Sequence, residues 1–538
     1  MDVNVGDVHD ALAAAFPDRE ALVFRDRRFT WGRTADRTRR LANHLHAQGL
    51  GCHRERSELE SWESGQDHLG ICCHNGNEFL EAMVGAFKAR VAPFNVNYRY
   101  HADELQCLLA DAQASALVYH SAFAPAVQSV RGALPRLRVL LQVPDGSGAT
   151  LLPGADWYDD ALAAAPVDPP PVTPSPDDLY ILYTGGTMGR PKGVLWRQAD
   201  AFTECFGGIR TATSIDDVVA AATTQLQSLI APPFMHGAGQ WVSFLTWFTG
   251  GTVFVPPHPE RLDAASVWRT VEQERITFLL VVGNAFVGPL LDELDRRPYD
   301  LSSLTVLLSG GAPLAPTLKH ALVAHLPTLM IVDGLGASET GGQLTQVSTG
   351  GCTPSGTFPL APNNVVLSED RSRVLETGDD ELGWLAKHGR LALGYLGDPA
   401  RTAETYPVID GVRYAVPGDR ARLRPDGMVE VRGRDSATIN TGGEKVFAEE
   451  VETALRAHPD VYDCVVAGRP SDRWGSEVVA VVQLRDGCEA DEDALLDAAA
   501  ERISRYKLPK AFVFVDEVVR SPSGKPDYPW ARAIARDA

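Results

Sequence analysis

Eleven consecutive residues, Tyr183-Thr184-Gly185-Gly186-Thr187-Met188-Gly189-Arg190-Pro191-Lys192-Gly193, concentrate anion-binding chemistry. They supply four glycines, two threonine hydroxyls, an arginine and a lysine. Glycine lets backbone N–H groups wrap phosphate oxygens, hydroxyls add hydrogen bonds, and lysine adds a compact charge. The segment follows residues 180–183, an apolar run that reads as a buried strand. It is not a Walker loop, which ends in Gly-Lys-Ser/Thr, because Lys192 follows Pro191 and precedes Gly193. A second turn, Gly334-Leu335-Gly336-Ala337-Ser338-Glu339, starts like a dinucleotide fingerprint but has Glu339 at the third glycine position. The spacing points to a nucleotide phosphate held by neither of the two common loops.

Four further segments follow in order: Asp333-Gly334-Leu335-Gly336-Ala337-Ser338-Glu339-Thr340, Tyr414-Ala415-Val416-Pro417-Gly418-Asp419, Gly433-Arg434 and Ser523-Gly524-Lys525. Together with the loop they resemble the adenylate-forming superfamily: acyl-CoA synthetases, peptide-synthetase adenylation domains and luciferases. The resemblance runs from about residue 17 to 530. Gly185, the run Asn95-Val96-Asn97-Tyr98-Arg99-Tyr100 and Asn440-Thr441-Gly442-Gly443-Glu444-Lys445-Val446 look closest to actinobacterial fatty-acyl or steroid-acyl CoA synthetases.

The resemblance implies a two-step reaction. A carboxylate attacks the α-phosphate of ATP, and coenzyme A then takes the acyl group from acyl-AMP; Mg²⁺ accompanies the nucleotide. It assigns Thr184, Gly185, Gly186, Thr187, Gly189 and Lys192 to the β- and γ-phosphates. Glu339 is implied as the metal carboxylate, Ser338 lies near the α-phosphate, and Asp333 and Gly334 belong to the second nucleotide motif. Gly310, Gly311 and Ala312 are implied at the adenine, Asp419 at the ribose hydroxyls, and Arg434 at ribose or phosphate. His236, in Pro233-Phe234-Met235-His236-Gly237, is implied beside the acyl carboxylate. Lys525 is implied to swing over the first site; with Thr187, His236 and Glu339 it makes up the expected catalytic set. Ser436 stands at the hinge position where many relatives have Asp or Lys. After rotation about it, Gly442 and Gly443 would leave room for the pantetheine arm.

Read as bare residues, these positions have other uses: Glu339 could cap a following helix, Asp419 could close an Asx turn, and His236 could be a core histidine. The expected activity is ATP-dependent acyl-CoA synthesis on a hydrophobic acid, fatty or steroid side-chain. The alternatives are an adenylating enzyme that loads a carrier protein, an aryl-acid CoA ligase, a luciferase-like oxygenase or a homologue that only binds. Phe234, Gln240, Trp241, Asn284 and Gly310 are the candidate pocket residues. An apolar pocket gains only ~1–3 kcal/mol per methylene, so their identities leave the acid open.

The elements that must hold these residues are also legible. Apolar runs at 117–119, 139–143, 180–183, 304–308 and 329–332 alternate with helical patterns such as 102–109 and 265–274. That alternation is the mark of parallel sheets covered by helices. Near residue 434 the order becomes helix 447–457, strands 464–467 and 477–482, helix 493–504 and strand 511–515, an α+β unit. The alternation predicts an α/β fold, and the resemblance implies that residues 1–433 form a large N-terminal domain of doubly wound sheets plus a distorted β-barrel. Residues 434–436 are a hinge, and residues 437–538 a small mobile α+β domain.

Composition bounds the partners. The chain has 538 residues and a formal charge of -20, which disfavours nucleic acid and anionic membrane as main partners. Only eight of its 50 basic residues are lysine, so a lysine inside a motif is less readily surface filler. The longest apolar run, about 276–291, contains Thr277, Gly283, Asn284 and Pro289 and falls short of a membrane span. The N-terminus lacks a secretory pattern and the eight cysteines are scattered, as expected of a cytoplasmic protein. The resemblance also makes a homodimer an expectation.

Overall fold

The computed structural model describes residues 1–184, 191–350, 356–441, 444–471, 475–521 and 524–537. Gly185, Gly186, Thr187 and Gly189 of the phosphate loop, and Gly442 and Gly443, lie outside the described residues, as does the side chain of Ser436. The chain is α/β and divides into two compact units. One comprises Met1–Leu280, Ala337–Gly342 and Gly389–Pro407; the other comprises Val281–Gly336, Gln343–His388 and Val408–Ala538.

The first unit is built on an eight-stranded sheet. Its order is Gly394–Tyr395, Lys192–Arg197, Leu179–Thr184, Ala92–Asn95, His68–Cys72, Ala116–His120, Val139–Val143 and Asp156–Trp157. The strands from Leu179–Thr184 through Asp156–Trp157 run parallel. The central ones are buried along their whole length, which is why they read as unbroken apolar runs. Helix Asn77–Lys88 leads to one side of strand His68–Cys72, and helix Ala102–Asp111 leads to its other side. Such reversals open a crevice at the carboxyl ends of the strands, the end from which residues 185–190 depart. A second sheet in this unit aligns Gln227–Ile230, Thr252–Val255 and Glu20–Phe24 in parallel, with Arg27–Thr30 antiparallel at the edge.

In the second unit, strands Val306–Gly310 and Met330–Ala337 pair in parallel. An antiparallel sheet contains Thr357–Pro359, Met428–Arg434, Asp419–Leu423, Leu382–His388, Val412–Ala415 and Val408–Ile409, with Asn364–Leu367 against Leu382–His388. Its last part is α+β. Strands Val461–Ser471, Gly475–Leu484 and Ala511–Phe514 alternate their side chains between two cores. Cys464, Val466, Ala480 and Val482 meet Val451, Leu455 and Leu495 of two helices, while Val465, Val479 and Val481 meet Ala531 and Ala535 of helix Tyr528–Asp537. Each fully buried valine contributes about 1.5–3 kcal/mol, so both faces stabilise this small sheet.

One expected strand shifts, and two other readings are filled in. The run 276–291 is strand Phe278–Val281 followed by helix Gly283–Arg296, separated by a turn at Gly283 with φ +51°. The expected strand 304–308 starts later, at Val306, because the Leu304 N–H is already spent on Leu301 O at 3.0 Å. Lysine scarcity is only partly functional: Lys88 and Lys319 are buried in ion pairs with Asp10 and Asp333, and burial brings the Lys88 ammonium down to about 8.

Candidate active site

The glycine-rich segment that begins at Thr184 is closed at its base by a pair of antiparallel strands. Thr184 pairs with Lys192 across strands Leu179–Thr184 and Lys192–Arg197, so both loop ends are held opposite each other. Tyr183, one residue earlier, faces Gly193. A Cβ on Gly193 would stand 2.8 Å from the Tyr183 ring, so this glycine serves close packing rather than anion contact. The Tyr183 hydroxyl donates to Asp111 Oδ2 at 2.7 Å.

Two buried amides tie the His236 segment to this strand pair. Asn95 Nδ2 donates to Tyr183 O at 2.8 Å and to Met235 O at 2.6 Å, while Asn95 Oδ1 accepts from Tyr183 N at 2.8 Å. Asn75 Nδ2 donates to Pro232 O at 2.9 Å, and its Oδ1 accepts from Phe234 N at 2.5 Å. Gln240 Nε2 donates to Phe234 O at 2.7 Å and its Oε1 accepts from the Tyr180 hydroxyl at 2.7 Å. Residues 232–236 are thus fixed by side chains whose polar atoms are used within the core. His236 is the N-cap residue of helix Gly237–Phe248 and is half-buried. Of the candidate pocket residues, Phe234 and Gln240 are buried, and both are committed to this scaffold.

Glu339 lies in the turn 338–340 between strands Met330–Ala337 and Gly341–Thr349, so no helix follows for it to cap. Its side chain is buried, and the Tyr395 hydroxyl donates to Oε1 at 2.6 Å. The turn is pinned by Trp196 Nε1, which donates to Ser338 O at 2.8 Å. Trp196 and Lys192 share one strand, and strand Gly394–Tyr395 pairs with it through Leu195 and Val194. Lys192 Nζ lies 5.2 Å from the centroid of the Tyr395 ring, within cation–π range. Burial, and after it the Glu339 carboxylate, push the Tyr395 phenol far above its ordinary value, so it stays a donor. Lys192, Tyr395, Glu339 and the Ser338 backbone therefore form one cluster in the first unit.

The second unit assembles the remaining candidates. Ser309 pairs with Asp333 and Gly310 with Gly334. Gly311 turns the chain with φ +88°, and a Cβ there would meet Lys525 Cε at 3.5 Å, placing the lysine tail over residues 310–311. Ala312 follows, near Gly283. The lysine turn is internally bonded: Ser521 N donates to Lys525 O at 2.9 Å, and Lys525 N donates to Ser521 Oγ at 3.1 Å. Arg520, paired with Asp463, also donates to Gly524 O at 3.0 Å. Asn284 Oδ1 accepts from Ala315 N at 2.8 Å, so this candidate pocket residue holds backbone. The Asp333 carboxylate accepts from Lys319; burial raises its pKa and the ammonium opposes that rise.

Asp419 is buried and faces Arg434 across strands Asp419–Leu423 and Met428–Arg434, with Arg434 Nε donating to Asp419 Oδ1 at 3.3 Å. This cross-strand pair, rather than an Asx turn, defines the carboxylate's place. The chain then enters the short 3-10 turn Asp435–Ala437.

Among the described residues, no group of three or more His, Cys, Asp or Glu side chains is arranged to hold a metal ion. Glu339 offers one carboxylate with one oxygen already bonded. That fits a hard cation that takes most of its oxygens from phosphate and water.

Two family models match the sequence: AMP-binding enzyme over residues 10–396, and AMP-binding enzyme C-terminal domain over residues 450–525. The chain belongs to the AMP-binding enzyme family. This AMP-binding enzyme is 54% identical over 539 residues to medium-chain acyl-CoA ligase Mig of Mycobacterium avium, covering 99% of this chain and 98% of that one. It is 38% identical over 541 residues to the medium/long-chain-fatty-acid–CoA/3-oxocholest-4-en-26-oate–CoA ligase of Mycobacterium tuberculosis, covering 98% and 96%. Among solved structures, the anthranilate CoA ligase AuaEII in complex with anthranoyl-AMP matches with a TM-score of 0.82 at 21% identity, over 99% of this chain and 97% of that one. The last likeness shows a common fold.

Motif reading of this AMP-binding enzyme missed its positioning residues. Asn75, Lys319 and Tyr395 carry no motif signal, and Asn95 enters only through the run Asn95 to Tyr100 that carries the resemblance. The one usable sign is a polar residue at the end of an otherwise apolar strand, as in Pro93-Phe94-Asn95.

Proposed function

We propose that this AMP-binding enzyme is an ATP-dependent acyl-CoA synthetase that activates a hydrophobic carboxylic acid as acyl-AMP and passes the acyl group to coenzyme A. The observation that carries this reading is the Lys525 tail lying over Gly311, which brings a motif lysine to the turn implied at the adenine. The acid's carboxylate attacks the α-phosphorus, the bond to the β-phosphate oxygen breaks, and pyrophosphate leaves. Coenzyme A thiol then attacks the acyl carbonyl, and AMP leaves with the former carboxylate oxygen.

In the first step the loop residues Thr184 to Lys192 hold the β- and γ-phosphates, and Lys525 stabilises charge developing between carboxylate and α-phosphate. Asp419 accepts from the ribose hydroxyls while Arg434 orients it. Gly310, Gly311, Ala312, Asp333 and Gly334 shape the adenine side, Ser338 lies by the α-phosphate, and His236 lies beside the acyl carboxylate. Glu339 would hold Mg²⁺, and the ion when bound would neutralise phosphate charge. Residues 437–538 turn about 434–436 between the steps, removing Lys525 and presenting Gly442 and Gly443 to the pantetheine arm.

The full-length likeness to a medium-chain ligase favours a medium-chain fatty acid; the ligases at 38% identity favour a steroid side-chain acid as the second reading. A reducing cytoplasm suits the buried thiols Cys72 and Cys464, pushed up to about 12 by burial. A homodimer is proposed alongside, measurable by light scattering. The deciding experiment is AMP release with ATP, Mg²⁺ and coenzyme A across fatty, steroid and aromatic acids. Release that needs both a hydrophobic acid and coenzyme A supports the proposal. Acid-dependent pyrophosphate exchange indifferent to coenzyme A would point to a carrier-protein acceptor, and no exchange with any acid would sink the reading.

A further inference from the structure

Tyr395 is a buried phenol aimed at one oxygen of one carboxylate. Its hydroxyl donates to Glu339 Oε1 at 2.6 Å. It has little freedom to leave. Its N–H donates to Thr402 Oγ1 at 3.0 Å, its strand pairs with Val194 and Leu195, and its ring is flanked by Lys192 Nζ at 5.2 Å and the Tyr406 ring at 6.2 Å. The turn bearing Glu339 is fixed separately by Trp196. Carboxylate and phenol are thus held from two sides, and Oε1 keeps a short hydrogen bond.

A carboxylate oxygen that already accepts a short hydrogen bond is the poorer ligand of the two, so a cation is drawn to the other oxygen. Mg²⁺ takes six oxygens at short distances in near-octahedral order and suits a single carboxylate oxygen. Ca²⁺ is larger, takes six to eight, and gains from a carboxylate that offers both. We propose that Tyr395 is a positioning residue that sets cation choice at this site: by holding Oε1 in a hydrogen bond it disfavours two-oxygen ligation by Glu339 and biases the nucleotide complex toward Mg²⁺ over Ca²⁺. This rests on Glu339 being the cation carboxylate, as proposed above. Tyr395 also joins Lys192 to Glu339, so the phosphate-loop lysine and the cation carboxylate share one rigid support.

The test uses the full-length enzyme with a non-hydrolysable ATP analogue and Mn²⁺ as the paramagnetic probe. Free and bound Mn²⁺ are read by electron paramagnetic resonance, and Mg²⁺ and Ca²⁺ are titrated as competitors. In Tyr395→Phe, the ratio of Ca²⁺ to Mg²⁺ affinity should rise about tenfold, the scale of losing an outer partner of a metal ligand. Because both competitors are measured on one sample, the ratio does not depend on the fraction folded. A ratio within twofold of the parent overturns the inference. Glu339→Gln separates the two layers. If it weakens Mn²⁺ binding while Tyr395→Phe leaves the ratio unchanged, only the role of Tyr395 fails. If it leaves Mn²⁺ binding intact, the cation role of Glu339 fails and the inference with it.

Discussion

Glu449 is the carboxyl whose environment makes the sharpest demand on pH. It lies on helix Ala448–Leu455, and its Oε2 would be 3.0 Å from a Cβ placed on Gly433. Burial raises it most; Glu452 on its own helix and Asp419 on the neighbouring strand raise it further, while Arg434 and Arg456 oppose them. Tyr528 of helix Tyr528–Asp537 also faces the two glutamates. The balance carries Glu449 from 4.5 up to about 7. A carboxyl raised on folding binds its proton more tightly in the native state. Its stabilising contribution is therefore complete below about pH 4.5 and is lost as pH rises through about 7. Each pKa unit is worth about 1.4 kcal/mol, so keeping it ionised at pH 8 costs the fold roughly 3 kcal/mol. Glu449→Gln keeps the shape and never ionises. The variant should exceed the parent by about 3 kcal/mol at pH 8 and by under ~1 kcal/mol at pH 5. Urea unfolding of both proteins at pH 5, 6, 7 and 8 measures this. A difference that stays flat across the range, or a variant weaker than the parent at pH 8, would refute the reasoning. The second outcome would mean that Arg434 needs the ionised carboxylate.

Lys525→Ala should cut acid-dependent pyrophosphate exchange by about 10²–10³-fold and change thioester formation from supplied acyl-AMP much less. Lys525→Arg should lose most of the same activity, because a planar guanidinium does not replace a compact ammonium over Gly311; near-parental exchange would contradict this. Asn95→Asp removes the two bonds that Nδ2 donates to Tyr183 O and Met235 O. It should destabilise by about 2–4 kcal/mol in thermal or urea unfolding, since it leaves buried carbonyls unpaired beside a buried charge. Glu369 serves two cations: Arg420, which is 1% exposed, and Lys445 at 3.4 Å. Lys445→Ala should change unfolding by under ~1 kcal/mol, whereas Glu369→Ala, which leaves the buried guanidinium only Leu382 O and Asp435 at 3.8 Å, should cost about 2 kcal/mol or more. Equal effects would show that Arg420 finds its balance elsewhere.

Sequence legibility divides along a physical line. Strand Val139–Val143 is found to the residue because both faces are buried and every position is apolar or covered. Helix Tyr528–Asp537 went unread although Trp530 and Ile534 pack beside the buried Ala531 and Ala535. The hairpin of Thr438–Thr441 and Glu444–Phe447 was missed because polar strands carry no such stripe. The site divides the same way. Residues implied to touch the nucleotide cluster in short motifs, because a loop that wraps a phosphate must supply its groups from neighbouring positions. Residues that hold those motifs in place have distant partners. Asn95 reaches Met235 across 140 positions, Asn75 reaches Phe234 across 159, and Tyr395 reaches Glu339 across 56. A local pattern can only report local partners, so the chemistry was readable while its supports were not. Those supports are where a conservative substitution should do the most unexpected damage: Asn95→Asp and Tyr395→Phe each change one or two atoms outside every motif, yet each alters what a motif residue can bind.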